Sequence, residues 1–257
     1  MKRSSLRIVI LLSVIGAIAI LAPTYYYVWQ TERKVAEAEQ QGLPNILAEL
    51  HQKYGGEKYS QGYEEWLIRD FFQDRRDGFF LDVGAYDYKD LSNTYFLESQ
   101  LGWSGIAVEP QVKFRADYER YRPKTQFVAM FVSDKSDEEI KFFVPERENR
   151  ASAVQGAMSE ESGVNEVEVP TITLNDLLSK YQVSKIDFLN MDIELWEPKA
   201  LAGFDIDKYR PELVCIEAHP PVRKEIEDYF AAHHYVKITK YLVADRRNFY
   251  YTPAAGS

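Results

Sequence analysis

Residues 78–87, Gly-Phe-Phe-Leu-Asp-Val-Gly-Ala-Tyr-Asp, decide the fold, because they join a short apolar run to a turn of small and acidic residues. An apolar run of this length, ended by Asp and Gly, is typical of a strand that is buried on both faces of a sheet. Gly84 can close a tight turn and lets a ligand approach the main chain. A helix that begins after such a turn presents unpaired N–H groups. The stretch therefore predicts a strand, a ligand-binding turn and a helix.

Strands and helices alternate along the rest of the chain. Ser92 or Asn93 is expected to cap a helix that ends at Gly102, and Thr173 is expected to cap a later one. Further strands are predicted at residues 105–109, 125–132, 140–144, 185–191 and 212–217, further helices at 112–121 and 222–233, a polar loop at 146–166, and a closing hairpin at 235–241 and 248–252. This order predicts a mostly parallel sheet covered by helices, with ligands bound beyond the carboxyl ends of its strands.

The composition limits the class of protein. The 257 residues include 31 Lys and Arg against 40 Asp and Glu, so the formal net charge is −9. Such a chain is a poor match for nucleic acid, because a phosphate backbone is bound by clustered basic side chains. Cys215 is the one cysteine, which excludes an internal disulfide and a thiolate zinc site. Its apolar surroundings predict a buried core residue.

The N-terminal residues differ from the rest. No charged side chain occurs from Ile8 to Trp29, a length about sufficient to cross a hydrocarbon core of roughly 30 Å as a helix. A cleaved signal peptide is the alternative, since Ala17-Ile18-Ala19 offers small residues, but that cut falls inside the apolar run. We therefore expect a single-pass membrane anchor at residues 1–30, a helical stalk at residues 31–59 and a folded domain at residues 60–257.

Acidic residues follow the predicted strands at the edge of the sheet where ligands bind. Glu109 ends the second strand, 25 positions after Gly84, where an acid can accept both hydroxyls of a ribose. The alternative role for Glu109 is to cap a neighbouring helix. The three-glycine dinucleotide fingerprint is incomplete, which disfavours a nicotinamide oxidoreductase.

Four more polar side chains follow the fourth and fifth predicted strands and could converge at one rim: Asp192, Glu194, Glu217 and His219. Carboxylates with an imidazole suit general-base catalysis or a divalent metal, for which Asp192, Glu217 and His219 are the candidate ligands. If the strands persist, alternation puts Asp192 and Glu194 on one face, and Glu217 and His219 likewise. Ordinary solvated polarity at strand ends is the alternative to a metal site.

Five segments together resemble the FkbM family of S-adenosylmethionine-dependent methyltransferases. They are residues 78–87 (GFFLDVGAYD), 91–98 (LSNTYFLE), 101–110 (LGWSGIAVEP), 191–204 (MDIELWEPKALAGF) and 212–219 (ELVCIEAH), within a resemblance that spans about residues 60–252. The resemblance implies the class I methyltransferase fold, a Rossmann-like α/β sandwich whose mostly parallel sheet ends in a C-terminal antiparallel hairpin.

The resemblance also implies roles for individual residues. The turn at residues 82–85 would wrap the methionine part of the cofactor, Glu109 would hold its ribose, and Asp192 would stand beside the transferred methyl group. The implied cofactor-binding residues are Asp82, Gly84, Ala85, Tyr86, Asp87, Asn93, Glu109, Pro110, Ser133, Asp134 and Asp192, with Ser133 and Asp134 at the end of the third strand flanking the adenine. Asp192, Glu217 and His219 are the expected catalytic residues, because a hydroxyl group must lose its proton as it attacks a sulfonium methyl.

Two positions depart from the family pattern. Tyr88 and Leu195 stand where the family usually has glycine, and both add bulk near the expected pocket. We expect a membrane-anchored O-methyltransferase that acts on a hydroxyl of a glycan, glycolipid or natural-product-like substrate. A non-catalytic, membrane-tethered binding or trafficking protein on the same fold is the alternative that the two lost glycines allow.

The side of the membrane that holds the domain stays open. Lys2, Arg3 and Arg7 precede the apolar stretch, while Arg33 and Lys34 follow it, so the charge rule favours a cytoplasmic N-terminus only weakly. The supply of S-adenosylmethionine favours the opposite arrangement, with the domain in the cytosol.

Overall fold

Ten strands and eight α-helices lie in the residues that the computed structural model describes, which are 46–55, 58–145, 151–153 and 163–256. The strands are β1 (Phe79–Val83), β2 (Ser104–Val108), β3 (Thr125–Val128), β4 (Phe131–Val132), β5 (Glu139–Pro145), β6 (Val164–Ile172), β7 (Phe188–Met191), β8 (Leu213–Glu217), β9 (Tyr235–Lys237) and β10 (Asn248–Pro253). The helices are α1 (Ile46–Tyr54), α2 (Glu64–Phe72), α3 (Tyr95–Leu101), α4 (Arg115–Tyr121), α5 (Leu174–Lys180), α6 (Glu197–Ala202), α7 (Ile206–Tyr209) and α8 (Arg223–Ala232).

Seven strands form one sheet in the order β3-β2-β1-β7-β8-β10-β9. The first five of these run parallel, and β10 lies antiparallel to both of its neighbours, β8 and β9. The expected mostly parallel sheet with a C-terminal antiparallel hairpin is therefore confirmed. Strand order reverses between β1 and β7, and ligands of such sheets bind beyond the carboxyl ends of the strands at that point.

Helices cover both faces of the sheet, which explains why its central strands are continuous apolar runs. On one face Leu81 of β1 belongs to a buried cluster with Leu177 of α5 and Phe230 of α8. On the other face Phe80 belongs to a cluster with Leu67 of α2 and Leu97 of α3. Full burial of side chains of this size stabilises the fold by about 1.5–3 kcal/mol each.

The predicted end of α3 at Gly102 and the predicted Thr173 cap of α5 are confirmed, but the N-cap residue of α3 is Thr94 rather than Ser92 or Asn93. The Ser92 hydroxyl accepts a hydrogen bond from the N–H of Tyr95 at 3.1 Å, and α3 ends at Gly102 with a φ of +77°. The Thr173 hydroxyl accepts from the N–H of Asp176 at 3.1 Å and caps α5. Cys215 is a buried free cysteine within β8, as predicted.

The third predicted strand, residues 125–132, is two strands. β3 ends at Val128, and β4 leaves the main sheet to pair with β6 in a smaller sheet of order β4-β6-β5. The predicted loop at residues 146–166 also extends too far, because β6 begins at Val164. The first five residues of β6, Val-Asn-Glu-Val-Glu, are all exposed and mostly polar, so their composition resembles a loop. Residues 146–150 and 154–162 of that loop lie outside the described residues.

The fourth strand of the prediction also ends early. β7 stops at Met191, and the chain then turns, with positive φ values of 54° at Glu194 and 77° at Leu195. The expectation that strand alternation aligns Asp192 with Glu194 is wrong, since neither residue is in a strand.

The expected anchor at residues 1–30, and the stalk as far as residue 45, lie outside the described residues. Among the residues that the structure does describe, no helix has both the length and the apolar character to span a bilayer. Helix α1 falls within the predicted stalk and ends before Gly55, as expected. Its Leu50 and Tyr54 are buried in the same cluster as Trp66 of α2.

Candidate active site

A tight turn after β1 forms one wall of a cleft at the carboxyl ends of β1, β2, β7 and β8. Gly84 has a φ of +84°, and a Cβ atom there would lie 1.8 Å from the carbonyl oxygen of Asp192. The Gly84 N–H donates to the Val108 carbonyl at 2.9 Å, and the Asp192 N–H donates to the Val83 carbonyl at 2.9 Å. The turn is clamped between neighbouring strand ends, and only glycine fits there.

Glu109, directly after β2, presents a carboxylate to the same cleft. Its Oε1 accepts from the N–H of Gln111 at 2.9 Å and its Oε2 accepts from the N–H of Tyr86 at 3.3 Å. Burial raises the pKa of this carboxyl above its ordinary value. An ionised carboxylate has about four lone-pair sites, so about two remain for hydroxyl groups of a ligand.

Asp82 lies beneath the turn rather than in the cleft. Its Oδ2 accepts from the Thr94 hydroxyl at 2.7 Å, and its Oδ1 accepts from the Asn190 side-chain amide at 2.8 Å. The Asn190 oxygen in turn accepts from the Asn93 amide at 3.0 Å. Asp82 therefore fixes the Asn190 amide, which in turn holds the Asn93 amide, and both amides line the cleft. Burial also raises the pKa of Asp82.

The opposite part of the cleft is rich in carboxyl groups. One oxygen from each of Asp192, Glu197 and Glu217 lies within 4.8 Å of the others, and Glu194, Glu217 and His219 form a second group of the same size. The His219 Nε2 is 3.1 Å from Oε1 of Glu217 and 3.6 Å from Oε2 of Glu194. The residues at the ends of β7 and β8 therefore do converge, as expected from the sequence, but through the turn after β7.

The electrostatics of these groups differ from one residue to the next. Burial, followed by repulsion from Glu217 and Glu194, raises the pKa of Asp192 well above its ordinary value. Burial opposes ionisation of Glu217 too, but the hydrogen bond from His219 holds the Glu217 pKa below its ordinary value. Hydrogen bonds to Glu194 and Glu217 raise the pKa of His219 to about 10. Burial raises the pKa of Glu197 to about 7.

Residues 82–242 match the Methyltransferase FkbM domain. The chain belongs to the FkbM methyltransferase family. It is therefore an S-adenosylmethionine-dependent methyltransferase. The residues present fit this cofactor, because Gly84 leaves the space of a missing Cβ at the turn and Glu109 keeps acceptor capacity for two hydroxyls. No curated protein matches the chain.

Solved structures give distant matches to the chain. Precorrin-6y C5,15-methyltransferase from Geobacter metallireducens is 10% identical, with a TM-score of 0.40, over 71% of this chain and 76% of that one. A TehB-like SAM-dependent methyltransferase from Corynebacterium glutamicum is 12% identical, with a TM-score of 0.40, over 85% of this chain and 98% of that one. The 1,6-didemethyltoxoflavin-N1-methyltransferase from Burkholderia thailandensis, solved with 1,6-didemethyltoxoflavin and S-adenosylhomocysteine, is 13% identical, with a TM-score of 0.36, over 90% of this chain and 88% of that one.

The site residues predicted for this FkbM methyltransferase divide into two groups. Those that line the cleft are Gly84, Ala85, Tyr86, Asn93, Glu109, Pro110, Asp192 and Glu217. Those outside its lining are Asp82, Asp87, Ser133, Asp134 and His219.

The second group has other contacts in the structure. The Asp87 carboxylate accepts from the N–H groups of Lys89 and Asp90, which closes the turn. Ser133 and Asp134 follow β4 instead of ending β3. The Ser133 hydroxyl accepts from the Trp196 indole at 3.3 Å. Ser133 and Asp134 therefore lie outside the lining of the cleft, whereas Phe131, which precedes them, belongs to it, and their contact with the adenine stays a prediction.

Several residues of the site are missing from the sequence-based prediction. Gln61 and Arg247 line the cleft and contact each other, with the guanidinium 2.5 Å from the Gln61 Oε1. They come from opposite ends of the domain, so no local signal joins them. The sequence does give an indication of Asn190, since it is a polar residue inside an otherwise apolar strand. Glu197 follows the strand-end motif at the first position of α6 and is fully buried.

Neither departure from the family pattern faces the cleft. The Tyr88 ring stacks on Tyr121, with centroids 4.8 Å apart, on the side of the domain formed by α4. Leu195 is half-buried and has a φ of +77°, a conformation that glycine adopts without strain. Neither side chain belongs to the lining of the cleft.

Proposed function

We propose that this FkbM methyltransferase transfers the methyl group of S-adenosylmethionine to a hydroxyl group of a glycan, glycolipid or natural-product-like acceptor. The observation that carries the proposal is that one continuous cleft joins the Glu109 carboxylate to the carboxyl groups of Asp192 and Glu217. The first feature suits a ribose and the second suits an acceptor that must lose a proton.

The cofactor half of the cleft follows from the turn after β1. When bound, S-adenosylmethionine supplies an electrophilic methyl group on a positively charged sulfur. Glu109 accepts hydrogen bonds from ribose hydroxyls, and Gly84 lets the ligand pass close to the main chain. Asn93 and Asn190, held by Asp82, offer polar contacts beside that path. These side chains hold and orient the cofactor.

The acceptor half of the cleft supplies a proton acceptor. A hydroxyl oxygen forms its new bond to the methyl carbon as the bond between that carbon and the cofactor sulfur breaks. An ionised carboxylate at the cleft floor takes the hydroxyl proton. The position of Asp192 in the lining of the cleft, next to the turn at Gly84, supports this role. Glu217 lines the same floor, and His219 contacts Glu217 from outside the cleft, so we assign His219 a positioning role.

A methyl-transfer assay tests the proposal. The full chain is incubated with S-adenosylmethionine labelled on its methyl group and with sugars, glycolipids and alcohols, beside matched amines and thiols. We expect label on hydroxyl acceptors, and we expect Asp192→Asn to keep cofactor affinity while its turnover falls about a hundredfold or more. Asp117→Asn, on the exposed side of α4, is the matched control and should retain activity. Transfer to amines or thiols alone would contradict the hydroxyl class.

We also propose that residues 1–30 anchor the domain to a membrane as a single-pass span. The uncharged stretch from Ile8 to Trp29 supports this, since its length suits a hydrocarbon core. The full chain is expected to stay with membranes during extraction by alkaline carbonate. Release into the supernatant would argue against an anchor.

A further inference from the structure

A buried carboxylate oxygen beneath the cleft floor has no hydrogen-bond partner in the part of the chain that the structure describes. Glu197 has no solvent exposure, and its Oε1 accepts from the N–H of Ile193 at 3.0 Å, but its Oε2 is unpaired. An unsatisfied buried polar group costs about 1–3 kcal/mol, and more when it is charged. Such groups in native proteins usually face a missing ligand, ion or water.

The residues around Glu197 indicate that the missing partner of its Oε2 is a cation. Asp192 and Glu217 each place a carboxylate oxygen within 4.8 Å of an oxygen of Glu197. The Oε2 of Glu217 is also buried and without a hydrogen-bond partner among the described residues, because His219 contacts only its Oε1. Carboxylates gathered this closely repel one another unless a positive charge or protons compensate them.

The spacing of the three oxygens suits a single ion. Two ligands on opposite sides of one ion are separated by twice the metal–oxygen distance, about 4.2 Å for Mg²⁺ and about 5 Å for Ca²⁺. Adjacent ligands lie closer together than that. Three oxygens that all fall within 4.8 Å lie within the span of an ion of Ca²⁺ size, and an approach closer by about 0.6 Å lets them share an ion of Mg²⁺ size.

We propose that Asp192, Glu197 and Glu217 bind one divalent cation of the Mg²⁺ or Mn²⁺ class at the floor of the cleft. An oxygen-only donor set suits these hard cations. The set differs from the one expected from the sequence, since Glu197 replaces His219, whose ring nitrogen contacts Glu194 and Glu217.

The position of the ion gives it a role in the proposed reaction. Asp192 and Glu217 line the cleft, so the ion has an open side toward an acceptor, whereas Glu197 holds it from beneath. A divalent ion lowers the pKa of a bound hydroxyl, which helps the hydroxyl proton to leave. This role rests on the proposed function, but the binding of the ion does not.

Binding of Mn²⁺ to the full chain tests the site directly. Free Mn²⁺ is measured by electron paramagnetic resonance as the protein is titrated, and one bound ion per chain is expected. We expect Glu197→Gln to weaken Mn²⁺ binding at least tenfold. This variant should fold, because its amide oxygen can still accept from the Ile193 N–H. Glu225→Gln, which changes an exposed glutamate of α8, is the control and should bind as the wild type does.

Binding of S-adenosylmethionine, measured on the same protein, separates failure of the metal site from failure of the proposed function. Cofactor binding without Mn²⁺ binding would overturn the metal site, meaning that protons alone compensate the carboxylates. Equal Mn²⁺ affinity of the wild type and Glu197→Gln would overturn it as well. Mn²⁺ binding without cofactor binding would support the metal site and contradict the proposed function. Asp192→Asn, changed at the surface of the cleft, provides a second variant in which weaker Mn²⁺ binding is expected.

Discussion

Replacement of Gly84 by alanine should distort the turn that forms the cofactor half of the cleft. The added Cβ would lie 1.8 Å from the Asp192 carbonyl oxygen and 2.9 Å from its carbonyl carbon. Both are backbone atoms, so no side-chain rotation can relieve the overlap. The end of β7 must therefore move away from the end of β1, and the hydrogen bond from the Asp192 N–H to the Val83 carbonyl is stretched or lost.

The cost of Gly84→Ala has three unfavourable parts. A left-handed backbone costs a residue with a Cβ about 1–2 kcal/mol. The lost hydrogen bond costs about 1 kcal/mol, and displacement of packed backbone costs about 1–3 kcal/mol. Alanine also reduces the conformational freedom of the unfolded chain, which offsets about 0.4–1 kcal/mol of this cost. The expected loss of unfolding free energy is about 3 kcal/mol, which for a domain of this size lowers the Tm by about 6–12 °C.

Urea unfolding of Gly84→Ala beside Gly102→Ala measures this cost. Gly102 has nearly the same φ, +77°, but its added Cβ meets the end of the flexible Asp77 side chain at 2.9 Å. The control therefore isolates backbone strain, and a loss of about 1 kcal/mol is expected for it. If Gly84→Ala is no less stable than Gly102→Ala, the turn is not clamped by the Asp192 carbonyl and the reasoning is refuted.

Three further predictions concern Glu109, Leu195 and Tyr88. Because burial raises the pKa of Glu109, affinity for S-adenosylmethionine should fall as the pH is lowered from neutral toward the ordinary value of 4.5, measured by calorimetric titration. An affinity that does not change over this range would show that the ionised carboxylate is not required. Leu195→Gly should be about 0.5–1 kcal/mol more stable to urea than Leu195→Ala, because the strain of about 1–2 kcal/mol on a Cβ at a φ of +77° exceeds the loss of about 0.4–1 kcal/mol that glycine incurs through a freer unfolded chain. Equal stabilities would mean that the backbone strain at Leu195 does not exceed that loss. Tyr88→Ala should be less stable to urea because the Tyr121 stack is lost, but it should keep its cofactor affinity. Weaker cofactor binding by this variant would place Tyr88 in the function of the cleft.

The cofactor half of the site could be predicted because its residues belong to local motifs. Gly84 and Glu109 end adjacent parallel strands, so the order of strands in the sequence already brings them to one edge. The acceptor half draws on distant segments. Gln61 precedes α2 and Arg247 precedes β10, and only the antiparallel pairing of β10 with β8 carries Arg247 to the rim beside Glu217.

The fold was predictable where strands are buried on both faces and less so where they are exposed. β1, β7 and β8 are apolar except for one polar residue each, Asp82, Asn190 and Glu217, and their central positions follow from that pattern. In β6 the exposed first half combines Val with Asn and Glu, which resembles a polar loop in composition. The turn after β7 was missed because Glu194 and Leu195 adopt positive φ values that their residue types do not predict.

Calorimetric titration of S-adenosylmethionine into the full chain and into Glu109→Ala tests the central claim most directly. We expect the wild type to bind one cofactor per chain and Glu109→Ala to lose binding, since its ribose acceptor is gone. Glu119→Ala, an exposed acid on α4, should bind as the wild type does. A folded wild type that binds no cofactor, or a Glu109→Ala variant that binds it equally well, would contradict the assignment of this cleft.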